Sequence, residues 1–258
     1  MINKIFKISI NESRWEILFF GFKISHNRKP KAITSVSGIN NKIFINEKGK
    51  REQLRKPIPG LNIQISGNGN VIELGRLSNI KNCQIIIVGN NNSIKIAQSQ
   101  YLIENTSFDM RVLGYNRKID IDENFSSNGA VIWNEENESE IDIGRDVMFG
   151  HNIFIRNSDG HLIFDKYGNH INKATKITIG NHVWVGAFVN ILKNTHIDNG
   201  CIIGTGSIVT KSTEEPNCIY AGIPAKKIKT EINWERLTPN LYYQTNKINE
   251  SGGNNEHI

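Results

Sequence analysis

From Ile179 to Ser212 the chain divides without remainder into blocks of six: IGNHVW, VGAFVN, ILKNTH, IDNGCI, IGTGSI and the shortened VTKS. The first position of each block is aliphatic (Ile179, Val185, Ile191, Ile197, Ile203, Val209). The fifth is small or β-branched (Val183, Val189, Thr195, Cys201, Ser207, then Thr213 past the last full block). A helix, with roughly 3.6 residues per turn, would smear these positions around its circumference, and a plain strand would alternate every two residues. A period of six predicts a flat-sided parallel coil with one short strand and one corner per block, the aliphatic side chain inward and the small one beside it. Gly180, Gly186, Gly200, Gly204 and Gly206 mark places where the backbone bends or is closely approached.

Hexads in the same phase begin earlier, with IGRDVM, FGHNIF and IRNSDG at Ile143, Phe149 and Ile155. The next in-register block is the one at Ile179, so the intervening DGHLIFDKYGNHINKATK is predicted to leave the coil at a corner and project sideways. A polar loop on a rigid scaffold is a natural place for chemistry. Further upstream, ISGNGNVIEL at Ile65 is echoed by IVGNNNSIKI at Ile87, an offset of 22 residues that suggests coils with loops added, or a separate irregular solenoid. The chain is thereby divided into an N-terminal β-rich module (1–60), an irregular repeat and capping region (61–140), a hexapeptide solenoid (141–212) with an inserted loop at 158–176, and a C-terminal part (213–258). In that last part AGIPAKKIK is expected to be an extended loop, INWERL a short helix, and residues from about Thr245 a polar tail. Glu135, Glu136, Glu138 and Glu140 read as a solvated acidic loop.

Composition changes this picture little. At 258 residues, with 38% apolar content, the chain can bury a narrow Ile/Val interior ringed by Asn-rich corners. Its 3 cysteines, Cys83, Cys201 and Cys218, are scattered and lack any CxxC spacing, which points to a reducing, cytoplasmic compartment. No stretch approaches the about 20 apolar residues of a membrane span. The net charge of +6 suits anionic partners, but neither a recognition helix nor an RNA-binding aromatic motif is present, so no nucleic-acid partner is expected. Within residues 1–35, Trp15, Phe19, Phe20 and Phe22 stand beside Lys23, His26, Arg28, Lys29 and Lys31. They read either as a cluster packed on the first coil or as a membrane-surface or partner contact. The stretch is similar to short N-terminal modules of enzymes of bacterial capsule and lipooligosaccharide assembly, and that resemblance implies a peripheral contact with the inner membrane face or with glycan-assembly proteins.

The hexads and the ending IIGTGSIVTKSTEEPNCIYAGIPAKKIK resemble the hexapeptide-repeat acyltransferases, in particular the capsular-polysaccharide, polysialic acid and sugar O-acetyltransferases. That resemblance implies a left-handed parallel β-helix, acetyl-CoA as co-substrate, a carbohydrate acceptor and a homotrimer. The loop sequence NSDGHLIFD resembles the catalytic loop of the O-acetyltransferases and implies that His161 is the base. Imidazole titrates close to neutral pH and can take an alcohol proton as it attacks a thioester. Either Asp159 or Asp165 could orient its ring. Trp184, in the similar H-V-W motif, is implied to lie beside the base. Cofactor contacts are implied at Ala187, Thr205, Thr210, Lys211, Lys226 and Lys229, although the family often has Ser at Ala187 and Ala at Thr205. No metal is expected, because His151, His161, His170, His182 and His196 lie nine or more residues apart, whereas a zinc site on this fold needs two ligands at close spacing. Two other readings remain open: N-acetylation of an amino sugar or xenobiotic, and a non-catalytic glycan-binding β-solenoid.

Overall fold

A computed structural model describes residues 6–11, 14–19, 22–27, 34–47 and 49–244, the first three segments as backbone strands only. Those three, Phe6–Asn11, Arg14–Phe19 and Phe22–Asn27, form an antiparallel sheet. The aromatic and basic side chains singled out in residues 1–35, and the tail from Thr245, lie outside the described residues.

The rest is one left-handed parallel β-helix with three eight-stranded sheets as its faces. The first face runs from Thr34–Ser37 to Ile208–Val209. The parallel strands of the second run from Lys42–Glu47 to His196–Ile197, with Lys50–Gln53 added antiparallel at one edge, and those of the third from Leu77–Lys81 to Ile219–Ala221, with Lys226–Lys229 added antiparallel at the other. The sheets pass the 140/141 boundary drawn from the hexads without a break, and among the described residues the coil is present from residue 34. Upstream coils are longer turns of the same helix: their first-face strands start at Leu61, Cys83, Thr106, Ala130 and Ile153, a spacing of 22 to 24 residues. The hexad pattern fades there because strands such as Cys83–Asn90 and Thr106–Tyr115 are several residues longer than the two-residue strands of the hexads.

In the hexads, all six first-position residues are buried at 2% exposure or less, and the fifth-position Val183, Val189 and Cys201 are buried beside them. The two polar fifth positions are satisfied locally: Thr195 Oγ1 donates to the Leu192 carbonyl at 2.7 Å and Ser207 Oγ to that of Gly204 at 2.6 Å. The corner falls at the fourth position, where His182, Phe188, Asn194, Gly200 and Gly206 all have φ between 54° and 73°. The second-position glycines serve close approach instead: a Cβ on Gly186 would sit 2.8 Å from the Thr205 nitrogen of the next coil.

Between the first and second faces, buried asparagines stack from coil to coil. Asn92 Nδ2 donates to Asn70 Oδ1 and Asn70 Nδ2 to Asn41 Oδ1, each at 3.0 Å. The fully buried Arg117 continues this ladder, donating from Nε to Asn92 Oδ1 (3.0 Å) and from its terminal nitrogens to the carbonyls of Val88 and Val112. Burial pulls its guanidinium pKa down to about 10.

Two C-terminal expectations are corrected. AGIPAKKIK is a hairpin, with Lys226–Lys229 pairing antiparallel to Ile219–Ala221. INWERL is not helical, because Trp234 and Arg236 are drawn onto the side of the β-helix; the only helix among the described residues spans 239–244, with Thr238 at its cap and Pro239 in its first turn.

Candidate active site

The inserted loop leaves the edge between the first and second faces, after strand Ile153–Arg156, and returns at Lys176–Ile179. It is held as a hairpin by Asn172. The Asn172 side chain donates to Asp159 Oδ2 and to the His161 carbonyl (both 2.8 Å) and accepts from the Ile163 N–H at 2.8 Å. Lys193, one coil further on, donates to the Asn172 carbonyl at 2.9 Å and pairs with Asp159 at 3.1 Å. Asp159 is thereby committed to the scaffold, its pKa lowered first by the Asn172 hydrogen bond and then by Lys193. Asp165 caps the tip turn, accepting from the N–H groups of Tyr167 and Asn169. Neither carboxylate bonds the His161 ring.

His161 itself is exposed and faces a groove of about 500 Å³. It is lined by Val112, Leu113 and Tyr115 and, on the adjoining coil, by Glu135, Glu136 and Glu138. Of the acidic run only Glu138 is exposed as a solvated loop residue: Glu135 accepts a paired hydrogen bond from Arg156 (2.9 and 3.0 Å), Glu136 accepts from the Ala174 N–H, and Glu140 pairs with Lys118 and Lys176 on the second face. Beyond His161, the arm exposes Leu162, Phe164, Tyr167 and Ile171.

Trp184 is 39% exposed and lies on the third face, in an outward column that reads Met148, Trp184, Ile202, Ile219 through successive parallel pairings. Ala187 and Thr205 are stacked on the edge that follows, where the Ala187 carbonyl accepts from the Gly206 N–H at 2.8 Å. Thr210, Lys211 and Lys226 line a pocket of about 260 Å³ at the C-terminal end of the helix, and Lys229 closes the hairpin beside it. One chain thus brings Thr210, Lys211 and Lys226 together and stacks Ala187 on Thr205. It does not bring His161 to Trp184, because the loop leaves the edge opposite the third face.

The hexad pattern does not predict the strap formed by the segment carrying Trp234 and Arg236. Trp234 stacks on His182 with ring centroids 4.1 Å apart and planes 9° apart, and lies 6.0 Å from Trp184. The available signal was a lone Trp followed two residues on by Arg in an otherwise polar tail. Among the described residues no three His, Cys, Asp or Glu side chains converge as a metal site.

A β-helix of hexads with an imidazole-bearing loop and an A-G-I-P hairpin defines a class: this chain belongs to the hexapeptide-repeat acetyltransferases. Residues 176–211 match the family described as bacterial transferase hexapeptide (six repeats). A polysialic acid O-acetyltransferase of Neisseria meningitidis is 33% identical over 200 residues, covering 69% of this chain and 90% of that protein. An Escherichia coli O1:K1 protein of the same description is 40% identical over 97 residues, 37% of this chain and 31% of its own length. Among solved structures, the polySia-specific acetyltransferase NeuO superposes with a TM-score of 0.63 at 27% identity, covering 83% of this chain and 97% of that one.

Proposed function

We propose that this chain is an acetyl-CoA-dependent O-acetyltransferase acting on a sugar hydroxyl of a bacterial surface polysaccharide or its precursor. The observation that carries the proposal is the His161 imidazole, free of any side-chain partner and open to a groove on a loop braced by Asn172 and Lys193. The name of the Neisseria relative supports the acceptor class. His161 takes the acceptor proton as the oxygen attacks the acetyl carbonyl, and backbone N–H groups hold the resulting oxyanion. The tetrahedral intermediate then expels the coenzyme A thiolate, which is protonated by the imidazolium.

The site is composite. His161 and Trp184 lie on opposite sides of one prism, so they serve a single reaction only where the loop edge of one copy meets the third face of the next. Such a contact is heterologous, and the homotrimer that the family resemblance implies is a ring built by repeating it. The apolar arm at Leu162, Phe164 and Tyr167 and the column Met148, Trp184, Ile202, Ile219 are the surfaces that such a contact would cover. The pantetheine arm then runs past Ala187 and Thr205 towards Thr210 and Lys211, with Lys226 and Lys229 neutralising phosphate as mobile charges. The three unpaired, buried cysteines are consistent with the cytoplasm, where acetyl-CoA is made.

The test offers acetyl-CoA with sialylated or neutral oligosaccharides and, separately, with amino sugars and chloramphenicol. Acetyl ester on a sugar, lost with mild base, is expected, and turnover confined to amines would overturn the reading. His161→Ala should lower turnover on the order of 10²-fold with the assembly intact.

A further inference from the structure

The edge between the second and third faces carries a network that the transfer reaction does not call for. His182, at a corner with φ 54°, directs Nδ1 to Asp146 Oδ2 at 2.7 Å, while its Nε2 lies 2.9 Å from the Trp234 carbonyl. Trp234 returns the contact, its Nε1–H donating to the His182 carbonyl at 2.9 Å. Arg236 then grips the other oxygen of Asp146 at 2.7 Å, donates to Ser126 Oγ at 2.7 Å and to the carbonyls of Asn124 and Val147, and lies 4.1 Å over the Tyr101 ring. The Ile232 N–H donates to the Asn217 carbonyl. A single extended segment thus ties the final coil to the coils bearing Tyr101, Ser126, Asp146 and His182.

Holding the C-terminus down would require far less. A polar tail on a solenoid edge needs only a few backbone contacts, yet Trp234 is 5% exposed, its indole is fixed by a stack on one face and by the hydrogen bond from its Nε1–H, and its backbone carbonyl is held by the His182 ring. The unpaired neighbour of that fixed indole is Trp184, tilted at 46°. Trp184 sits on a two-residue strand with an exposed ring, and no hydrogen bond of its own sets its rotamer.

We infer that Trp234 is a positioning residue for Trp184: the strap supplies the wall against which the Trp184 indole rests, and so fixes its angle in the transfer site. The inference rests on the proposed role of Trp184 for its catalytic meaning, but the contact itself can be read without any acceptor. A misplacement of about 1 Å at a transfer site can cost on the order of 10²-fold in rate. Loss of the wall should therefore reduce kcat on the order of tenfold while changing the KM for acetyl-CoA little, because Ala187, Thr205 and Lys226 are held by other elements.

The experiment compares the full chain with Trp234→Ala, Trp234→Phe, Trp184→Ala and Arg236→Lys. Two indoles with centroids 6.0 Å apart are close enough to couple as excitons, so the wild type should show a far-ultraviolet circular dichroism couplet that is absent in both Trp184→Ala and Trp234→Phe. Acrylamide quenching of Trp184 fluorescence should rise in Trp234→Phe, and kcat should fall further in Trp234→Ala than in Trp234→Phe, which keeps a ring on His182. Arg236→Lys should loosen the strap and show an intermediate couplet. An unchanged couplet and unchanged quenching in Trp234→Phe would overturn the inference whether or not an acceptor is found. If Trp184→Ala slows transfer but folded Trp234→Ala does not, the positioning role fails and the proposed function stands. If Trp184→Ala leaves transfer unchanged while the couplet behaves as expected, the error lies in the role given to Trp184.

Discussion

The second and third faces are built from the same kind of coil but treat their outward side chains in opposite ways. On the second face, Lys118 lies 2.5 Å from Glu140, Lys176 lies 3.0 Å from Glu140 and 2.5 Å from Asp142, and Lys95 lies 3.4 Å from Asp120. Each charge finds its partner one coil away, so the face is complete within one chain. On the third face the corresponding column is Met148, Trp184, Ile202 and Ile219, whose outward side chains carry no charge, the indole N–H of Trp184 being their one polar group, and leave apolar surface in water. Burying such a side chain is worth roughly 1.5–3 kcal/mol. The contrast favours the third face, not the charged one, as the surface covered in the proposed assembly, with Trp184 on it in both the packing and the chemistry proposed.

The sharpest way to break this comparison is to charge the apolar column. Ile202→Asp is expected to dissociate the assembly, seen by sedimentation, and to abolish measurable transfer. Lys226→Ala should act less severely, raising the KM for acetyl-CoA several-fold with kcat nearly unchanged, since it removes one mobile charge from phosphate. Smaller still is the pH response of the strap. Burial alone would push the Asp146 carboxyl up, but its hydrogen bonds to His182 and Arg236 outweigh that and hold it below the ordinary aspartate range. A depressed carboxylate contributes stability that is present above its unfolded pKa and is lost as pH falls through the folded value. Acidification through that range should weaken the Trp184–Trp234 couplet, and Asp146→Asn should remove this dependence. The smallest effect belongs to the charged face: Lys118→Ala, at a site nearly half exposed, should change stability by less than about 1 kcal/mol and leave the assembly untouched.

Hexads were legible because the short coils repeat a strict six-residue register, from Ile179 to Val209, with nothing inserted. Upstream coils obey the same inward logic, Ile63 over Ile85 and Ile72 over Ile94 over Ile119, but their lengths vary, so a fixed period could not follow them. The loop bearing His161 is legible in its phase and in its resemblance to the catalytic loop of the O-acetyltransferases. Its bracing by Asn172 and Lys193 was not, because Lys193 lies on another coil. The strap is illegible for the same reason: Trp234 meets His182 and Arg236 meets Ser126 across sequence separations of 52 and 110 residues, and the local pattern of INWERL carries no trace of what the β-helix edge offers it.

The central claim, that His161 of one copy works with Trp184 of another, is tested most directly by complementation. His161→Ala and Trp184→Ala chains, each deficient alone, are unfolded, mixed in equal amounts and refolded together. Random assembly into trimers leaves about one quarter of the interfaces with both native residues, so transfer is predicted to recover to roughly that fraction of wild type. Mixed trimers that form but recover no activity would place the two residues in a single chain's site and contradict the account.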